Sequence, residues 1–240
     1  MIIEKKINSF FDFHKIIEEH NKNWENWYYR GESDPSHLLI PKAGRPHFVV
    51  QKIKDIDLFN TWCRHAIAYL EKPIEDQWDL LAIAQHHGLA TRLLDWTSNP
   101  MIAAFFAVTL ADNSQPRKTQ SIIYAHYSDK PFIDKSRFPN PFQCEKGIQR
   151  VSPKSITPRI MRQSGMFTIH NPPHYELDKN LPHGDVLMKM LIEPDYQKKF
   201  TIELSHYGIN KLSLFPDLDG LSRHVNWTYL NLTTVKKDTI

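Results

Sequence analysis

The sequence predicts an α+β protein with a mixed sheet core and surrounding helices. Segments with helical and strand periodicity follow one another without regular βα alternation, which disfavours a doubly wound parallel sheet. The composition is globular, with 41% hydrophobic and 24% charged residues. Eight glycines against sixteen prolines favour stiff connections, and no glycine-rich phosphate-loop motif occurs. We expect the 240 residues to form one domain.

The first part of the chain is expected to hold two strands among several helices. Residues 1–25 form an N-terminal helical segment whose helix is capped by Ser9. The aromatic run from Trp27 predicts a strand with Arg30 at its end and a turn that begins at Gly31. Apolar spacing and capping residues predict further helices over Gln51 to Glu71, Asp76 to His87 and the buried Met101 to Leu110.

The second half is expected to contain the remaining strands and a helical C-terminus. Residues 27–221 form the core, and residues 222–240 form a C-terminal helix and tail. Strands are predicted over Gln120 to Tyr127, Gly165 to His170 and Val186 to Ile192. A long ordered loop is predicted from Pro131 to Pro158, and helices are predicted over Asp195 to Tyr207 and from Pro216 onward.

The N-terminus lacks the uninterrupted apolar stretch of a signal peptide. The longest apolar run, Met101 to Val108, is far too short to span a bilayer. Cys63 and Cys144 are the only cysteines, which is typical of a reduced cytosolic protein. We therefore expect a cytoplasmic protein without a membrane partner.

The segment from Gln85 to Pro100 concentrates the residues that carry chemistry. Gln85, His86 and His87 fall in the last turn of a predicted helix and point about 100° apart, so at most two of them face one site. A histidine there serves as an acid or base, or bonds a ribose hydroxyl. The alternative is a favourable interaction between the histidine and the helix dipole.

The strand that follows alternates between two sides. Thr91, Asp95 and Thr97 fall on one side, whereas Arg92 and Trp96 fall on the other. With Arg30 opposite, the Thr-Asp-Thr side would form the wall of a polar pocket. The alternative is a structural hydrogen-bond network, and Trp96 is expected in the core.

Several motifs resemble the FRG domain family, which is named for an aromatic-Arg-Gly sequence. Tyr29 stands where that family has phenylalanine, and the resemblance extends from about Trp27 to Leu221. The residues that carry it are Tyr29-Arg30-Gly31-Glu32, Gln85-His86-His87-Gly88, Thr91 to Thr97, Asn99-Pro100, Phe105-Phe106-Ala107, Arg159-Ile160, Gln163 to His170, Gly208-Ile209-Asn210 and Leu214 to Leu221.

A more distant resemblance is to the ADP-ribosyltransferase fold. It implies that Arg30 holds NAD at a strand end, that Thr97 belongs to a second strand motif, and that Gln163 takes the place of a late glutamate. NAD is then the substrate, and a nucleic acid or protein accepts the ADP-ribose in the manner of a toxin or phage-defence effector. The residues expected to bind NAD are Arg30, Gly31, Gln85, His86, His87, Thr91, Arg92, Asp95 and His170.

The role of Arg30 has two interpretations. Its planar fork fits the NAD diphosphate, or it pairs with Glu32 or Asp95 in a buried structural ion pair. The enzyme hypothesis requires Arg30, the Thr91 to Thr97 side and Gln163 to converge within hydrogen-bonding reach of one cleft, and it should be dropped if they diverge.

Two other functions remain open at this point. One is a metal-dependent nuclease or phosphodiesterase, although no metal-binding motif is present. The other is a module that senses a ligand without turnover. The residues considered for the nuclease are His86, His87, Asp95 and His170.

Overall fold

The computed structural model describes residues 1–109, 119–154 and 161–231, except for the side chains of Asn21 and Lys22. Within these ranges one mixed sheet of seven strands runs in the order β1-β7-β4-β2-β3-β6-β5. β1 and β7 are parallel, and the other neighbours are antiparallel. The strands are β1 Ile2–Ile7, β2 Trp27–Glu32, β3 Leu93–Thr97, β4 Ser121–Tyr127, β5 Gly147–Val151, β6 Gly165–Asn171 and β7 Val186–Ile192.

Helices connect these strands. The α-helices among the described residues are α1 Phe10–Glu19, α2 Pro46–Val50, α3 Asp55–Ala66, α4 Gln77–His86, α5 Pro100–Val108, α6 Pro194–His206, α7 Lys211–Leu214 and α8 Leu218–Asn231. Short 3-10 helices span Asn21–Asn26, Lys42–Gly44 and Pro141–Gln143. No helix within the described ranges is long and apolar enough to cross a bilayer.

The sheet has two differently covered faces. The helical face, which carries Tyr29 and Thr97, is covered by α1, α5 and α6 at one end and by α3 and α4 at the other. The loop face carries Tyr28, Arg30 and Trp96. Its core includes Leu39 and Leu177, which come from segments outside the strands and helices and are joined by a backbone hydrogen bond.

The predicted helix ends match the structure where capping residues mark them. The Ser9 hydroxyl accepts the Asp12 amide at the start of α1, and the Asn99 side chain accepts the Met101 amide at the start of α5. Gly88 follows α4 with a φ of +86°, as expected of a residue just beyond a helix. The α+β prediction is confirmed. Leu110, residues 155–160 and residues 232–240 lie outside the described residues.

Two strands were not predicted. Residues 1–25 were expected to be helical, but Ile2–Ile7 forms the edge strand β1 before α1 begins. Ile3 and Ile7 point towards the helical face, and the charged residues between them obscure this alternation. β5 lies within the predicted loop from Pro131 to Pro158, where it forms the opposite edge of the sheet. Edge strands are often short and carry charged side chains that prevent further pairing, so their local sequence pattern is weak.

Gly31 also differs from the prediction. It was expected to begin a turn, but β2 continues to Glu32 and Gly31 lies inside the strand. A Cβ at this position would overlap the backbone oxygen of Ala103 and would lie 2.5 Å from the Ala107 nitrogen. Glycine is therefore required by the close approach of α5 to β2 rather than by a turn.

Candidate functional site around Arg30 and Asp95

The candidate site lies where β2 and β3 separate. β2 pairs with β4 along its whole length, but it pairs with β3 only through Tyr29 and Thr97. In the gap beyond this pair, Arg30 Nη1 donates to the main-chain oxygen of Asp95 over 2.8 Å. The Arg30 side chain thus takes the place of a missing backbone hydrogen bond between the two strands.

Glu32 holds the Arg30 guanidinium. Arg30 Nε donates to Glu32 Oε1 over 2.9 Å, and Nη2 donates to the same oxygen. The two side chains are only 16% and 10% exposed. The other carboxylate oxygen lies 3.2 Å from His37 Nδ1. The ion pair between Arg30 and Glu32, one of the two interpretations drawn from the sequence, is therefore present. Glu32 already binds the Nε and Nη2 atoms of the guanidinium, which the other interpretation assigns to the NAD diphosphate.

Asp95 continues the network towards solvent. Its side chain is 59% exposed and lies 3.9 Å from Arg30 Nη1. Gln85 Nε2 donates to Asp95 Oδ2 over 2.9 Å, and the Thr91 hydroxyl donates to Gln85 Oε1 over 2.6 Å. We call these connected side chains the Arg30–Asp95 network, and its members are Arg30, Glu32, His37, Gln85, Thr91 and Asp95.

The two histidines at the end of α4 lie beside this network. His87 is the exposed residue that caps the helix, and its ring is 5.0 Å from that of the half-buried His86. Lys42 Nζ donates to the Gly88 carbonyl, which follows directly. Gln85 of the predicted Gln-His-His group contacts Asp95.

Thr97 and Gln163 are close together, but their side chains are used elsewhere. The Thr97 hydroxyl donates to the Gln163 main-chain oxygen over 2.7 Å and accepts the Asn99 amide. The Gln163 amide donates to the Leu214 carbonyl over 3.2 Å. These bonds join β3, the turn before β6 and α7. The Gln163 side chain is thus directed to Leu214 and not to the Arg30–Asp95 network.

Three other predicted binding residues make structural contacts, and two of them, Arg92 and His170, are buried. Arg92 makes a bidentate pair with Asp55, with Nε and Nη2 at 2.7 and 2.9 Å from its oxygens. Gly31 is covered by α5, as described above. His170 is fully buried on the loop face. The role of these three residues in binding NAD stays a prediction.

The environment of His170 fixes its protonation. Burial lowers the pKa of His170 to about 4, so the ring is neutral at pH 7. Its Nδ1 lies 2.6 Å from the Tyr175 carbonyl and therefore carries the hydrogen, so that Nε2 accepts from the Thr168 hydroxyl. Thr168 in turn accepts the indole N–H of Trp96, which is buried as predicted.

The metal-dependent alternative gains no support from this arrangement. His170 lies buried on the loop face, whereas His87 is exposed beside Asp95. In the part of the chain that the structure describes, no three histidine, cysteine, aspartate or glutamate side chains are grouped so as to hold a metal ion.

Glu32 and His37 were not among the predicted site residues. In a strand, residues two apart face the same side, so Glu32 follows directly from the choice of Arg30. His37 carries no such pattern, because it lies in the segment after β2 and reaches Glu32 only through the path of that segment.

Comparison with known proteins supports one part of the sequence resemblance. The FRG domain family model matches residues 25–116. No curated protein and no solved structure matches the chain. The matched segment contains every member of the Arg30–Asp95 network, and it excludes Gln163 and His170. Residues 25–116 are therefore similar to the FRG domain family.

Proposed function

We propose that this protein cleaves NAD and transfers ADP-ribose to a nucleic acid or a protein, and that it does so at the Arg30–Asp95 network. The observation that carries the proposal is the exposed Asp95 carboxylate, which Gln85 and Arg30 hold in place where β2 and β3 separate. Positive charge develops on the ribose as the bond to nicotinamide breaks, and a fixed carboxylate stabilises that charge.

The proposed reaction assigns a role to each side chain. The bond between ribose C1 and the nicotinamide nitrogen breaks, and nicotinamide leaves with the electron pair. A hydroxyl or amine of the acceptor forms the new bond to C1 and gives its proton to Asp95. Gln85 orients Asp95 through a 2.9 Å hydrogen bond, and Glu32 fixes Arg30. His86 and His87, at the end of α4, would bond ribose hydroxyls.

This assignment changes the role of two residues. Arg30 becomes a positioning residue, because its Nε and Nη2 atoms are engaged by Glu32. Gln163 does not converge with Arg30 and Asp95, since its amide donates to Leu214, so the form of the enzyme hypothesis that used Gln163 is dropped. The carboxylate that the resemblance to the ADP-ribosyltransferase fold requires would come from Asp95. A resemblance to that fold, cytoplasmic location and action as a toxin or defence effector are part of the same proposal.

The test is the release of nicotinamide from NAD by the purified protein in the presence of cell lysate or nucleic acid. We expect the wild-type chain to release nicotinamide and to label an acceptor. Asp95→Asn should lower the rate about 100-fold, the usual cost of removing one electrostatic group from a transition state. Glu71→Gln changes an exposed carboxyl group outside the network and should leave the rate unchanged. Melting temperatures identify any variant that is unfolded.

Ligand sensing without turnover is the second candidate. It is favoured by the internal hydrogen bonds of Arg30, which leave the network fully formed before any ligand arrives. Sensing predicts that NAD raises the melting temperature of the wild type but releases no nicotinamide. If saturating NAD produces neither a shift nor nicotinamide, both candidates are wrong.

A further inference from the structure

Arg150 of the edge strand β5 is a buried cation on the loop face. It is only 7% exposed. Its guanidinium carbon lies 5.1 Å from the centre of the Tyr28 ring and 4.8 Å from the centre of the Phe132 ring. Nη1 donates to the Tyr28 hydroxyl over 2.7 Å. The side chain therefore contacts two aromatic rings and uses one edge of its guanidinium on tyrosine.

The charge of Arg150 is not matched by an acidic side chain. Within the described residues no aspartate or glutamate oxygen lies within 4.0 Å of its guanidinium nitrogens. Nε is buried and has no hydrogen-bond partner. Burying a guanidinium is costly unless its donors are paired, and stacking on aromatic rings offsets only part of that cost.

Two other buried or half-buried arginines among the described residues show which groups the Nε and Nη2 edge binds. Arg30 uses Nε and Nη2 to hold the Glu32 carboxylate. Arg92 uses the same two nitrogens to hold the Asp55 carboxylate, at 2.7 and 2.9 Å. This edge of a guanidinium matches the two oxygens of a carboxylate or phosphate. In Arg150 the same edge has no partner among the described residues.

We propose that the Nε and Nη2 edge of Arg150 binds an oxyanion group of a ligand, either a carboxylate or a phosphate. Phe132, which is 39% exposed and lies outside the strands and helices, covers the guanidinium and must move aside for the oxyanion to reach Nε. The hydrogen bond from Arg150 Nη1 to the Tyr28 hydroxyl remains in place while the oxyanion binds. Arg150 lies outside the FRG match, and the proposal does not depend on NAD cleavage.

The experiment observes the arginine Nε–H signals of the full chain by ¹⁵N NMR during titration with inorganic phosphate or sodium acetate. Sodium chloride at matched ionic strength is the reference. The Arg150 signal is identified by its absence from Arg150→Lys. We expect it to move saturably with at least one of the two anions, and the anion that moves it identifies the ligand class. Phe132→Ala should bind several-fold more tightly.

Matched variants keep the test independent of folding. Arg150→Lys retains the positive charge but lacks the planar guanidinium with its two parallel N–H donors. We expect its affinity for the anion to fall at least about tenfold, as measured by calorimetry. Arg137→Gln is the control, because Arg137 also stacks on a phenylalanine but is exposed and paired with Glu145. The proposal is overturned if neither anion moves the Arg150 signal in the wild type or in Phe132→Ala. It is equally overturned if Arg137→Gln weakens binding as much as Arg150→Lys.

Discussion

Gly31 lies directly beneath α5, and the first prediction concerns its substitution. In Gly31→Ala the new methyl group would overlap the Ala103 carbonyl oxygen and crowd the Ala107 nitrogen. Because backbone atoms cannot move aside as flexible side chains do, we expect a loss of about 2 to 3 kcal/mol in the free energy of unfolding, measured with urea.

Gly184→Ala is the control for Gly31→Ala. Gly184 has a φ of +89° and nothing within 4 Å of an added Cβ, so its substitution introduces backbone strain without a clash. We expect a cost of about 1 kcal/mol there. Equal losses for the two variants would show that the close approach of α5 to β2 is not what requires Gly31.

Arg92 and Asp55 form the second residue-level prediction. Arg92→Ala leaves the buried Asp55 carboxylate without its bidentate partner, so we expect a loss of about 3 to 5 kcal/mol in unfolding free energy. The double variant Arg92→Met with Asp55→Leu removes both charges and should recover most of that loss. Arg137→Ala breaks an exposed pair with Glu145 and should cost under about 1 kcal/mol. A similar loss for Arg92→Ala and Arg137→Ala would contradict the prediction.

The residues of the candidate site show what strand alternation does and does not predict. Alternation correctly placed Asp95 and Thr97 on one side of β3. It could not show that Arg30 lies on the other face of the sheet, because that depends on how β2 pairs with β3. Arg30 meets Asp95 only because the two strands separate after a single residue pair. Such a gap results from tertiary structure and has no local sequence pattern.

At the scale of single elements, α5 depends on its cap. Asn99→Ala removes the side-chain acceptor for the Met101 amide, which is 2.9 Å away. We expect a loss of about 1 kcal/mol in unfolding free energy, measured with urea. Asn99→Asp keeps an acceptor and adds a negative charge at the helix N-terminus, so it should be as stable as the wild type. An equal loss in both variants would mean that the cap is not the stabilising contact.

Capping residues predicted where three of the helices start. The starts of α1, α4 and α5 follow Ser9, Asp76 and Asn99, and each of these side chains accepts a backbone amide of its own helix. The edge strands β1 and β5 were missed, since each is stabilised by a neighbour distant in the sequence. β1 pairs with β7, for example, and Ile2 lies opposite Leu187.

At the scale of the whole molecule, the two faces of the sheet differ in how polar groups are buried. On the helical face beside α1 and α6, buried polar side chains such as His20 and Gln197 come from outside the strands. The loop face buries Arg150, Thr168, His126 and His170 among aromatic side chains. The α+β class followed from the order of elements, but this asymmetry depends on strand order and on segments that carry little periodicity.

The buried histidines make stability depend on pH. Burial lowers the pKa of His170 to about 4 from an ordinary value of 6.5, and burial also lowers the pKa of His20 to about 4. Each ring is neutral in the folded protein, and the unfolded chain binds more protons between these two pH values. The stability they confer is therefore complete above pH 6.5 and is lost as the pH falls towards 4. The lowered pKa of His170 alone corresponds to about 3 kcal/mol.

Urea unfolding at a series of pH values from 7.5 to 4.5 measures this loss. His170→Gln cannot ionise, so its unfolding free energy should fall less steeply with pH than that of the wild type, whatever its stability at pH 7. The exposed His183 provides the control, and His183→Gln should retain the wild-type slope. Burial alone would raise the pKa of Asp185, but its hydrogen bond with His126 holds that pKa below the usual value. The stability that Asp185 contributes is therefore lost only below about pH 4, outside the measured range. An unchanged slope in His170→Gln would show that His170 is not the group that titrates.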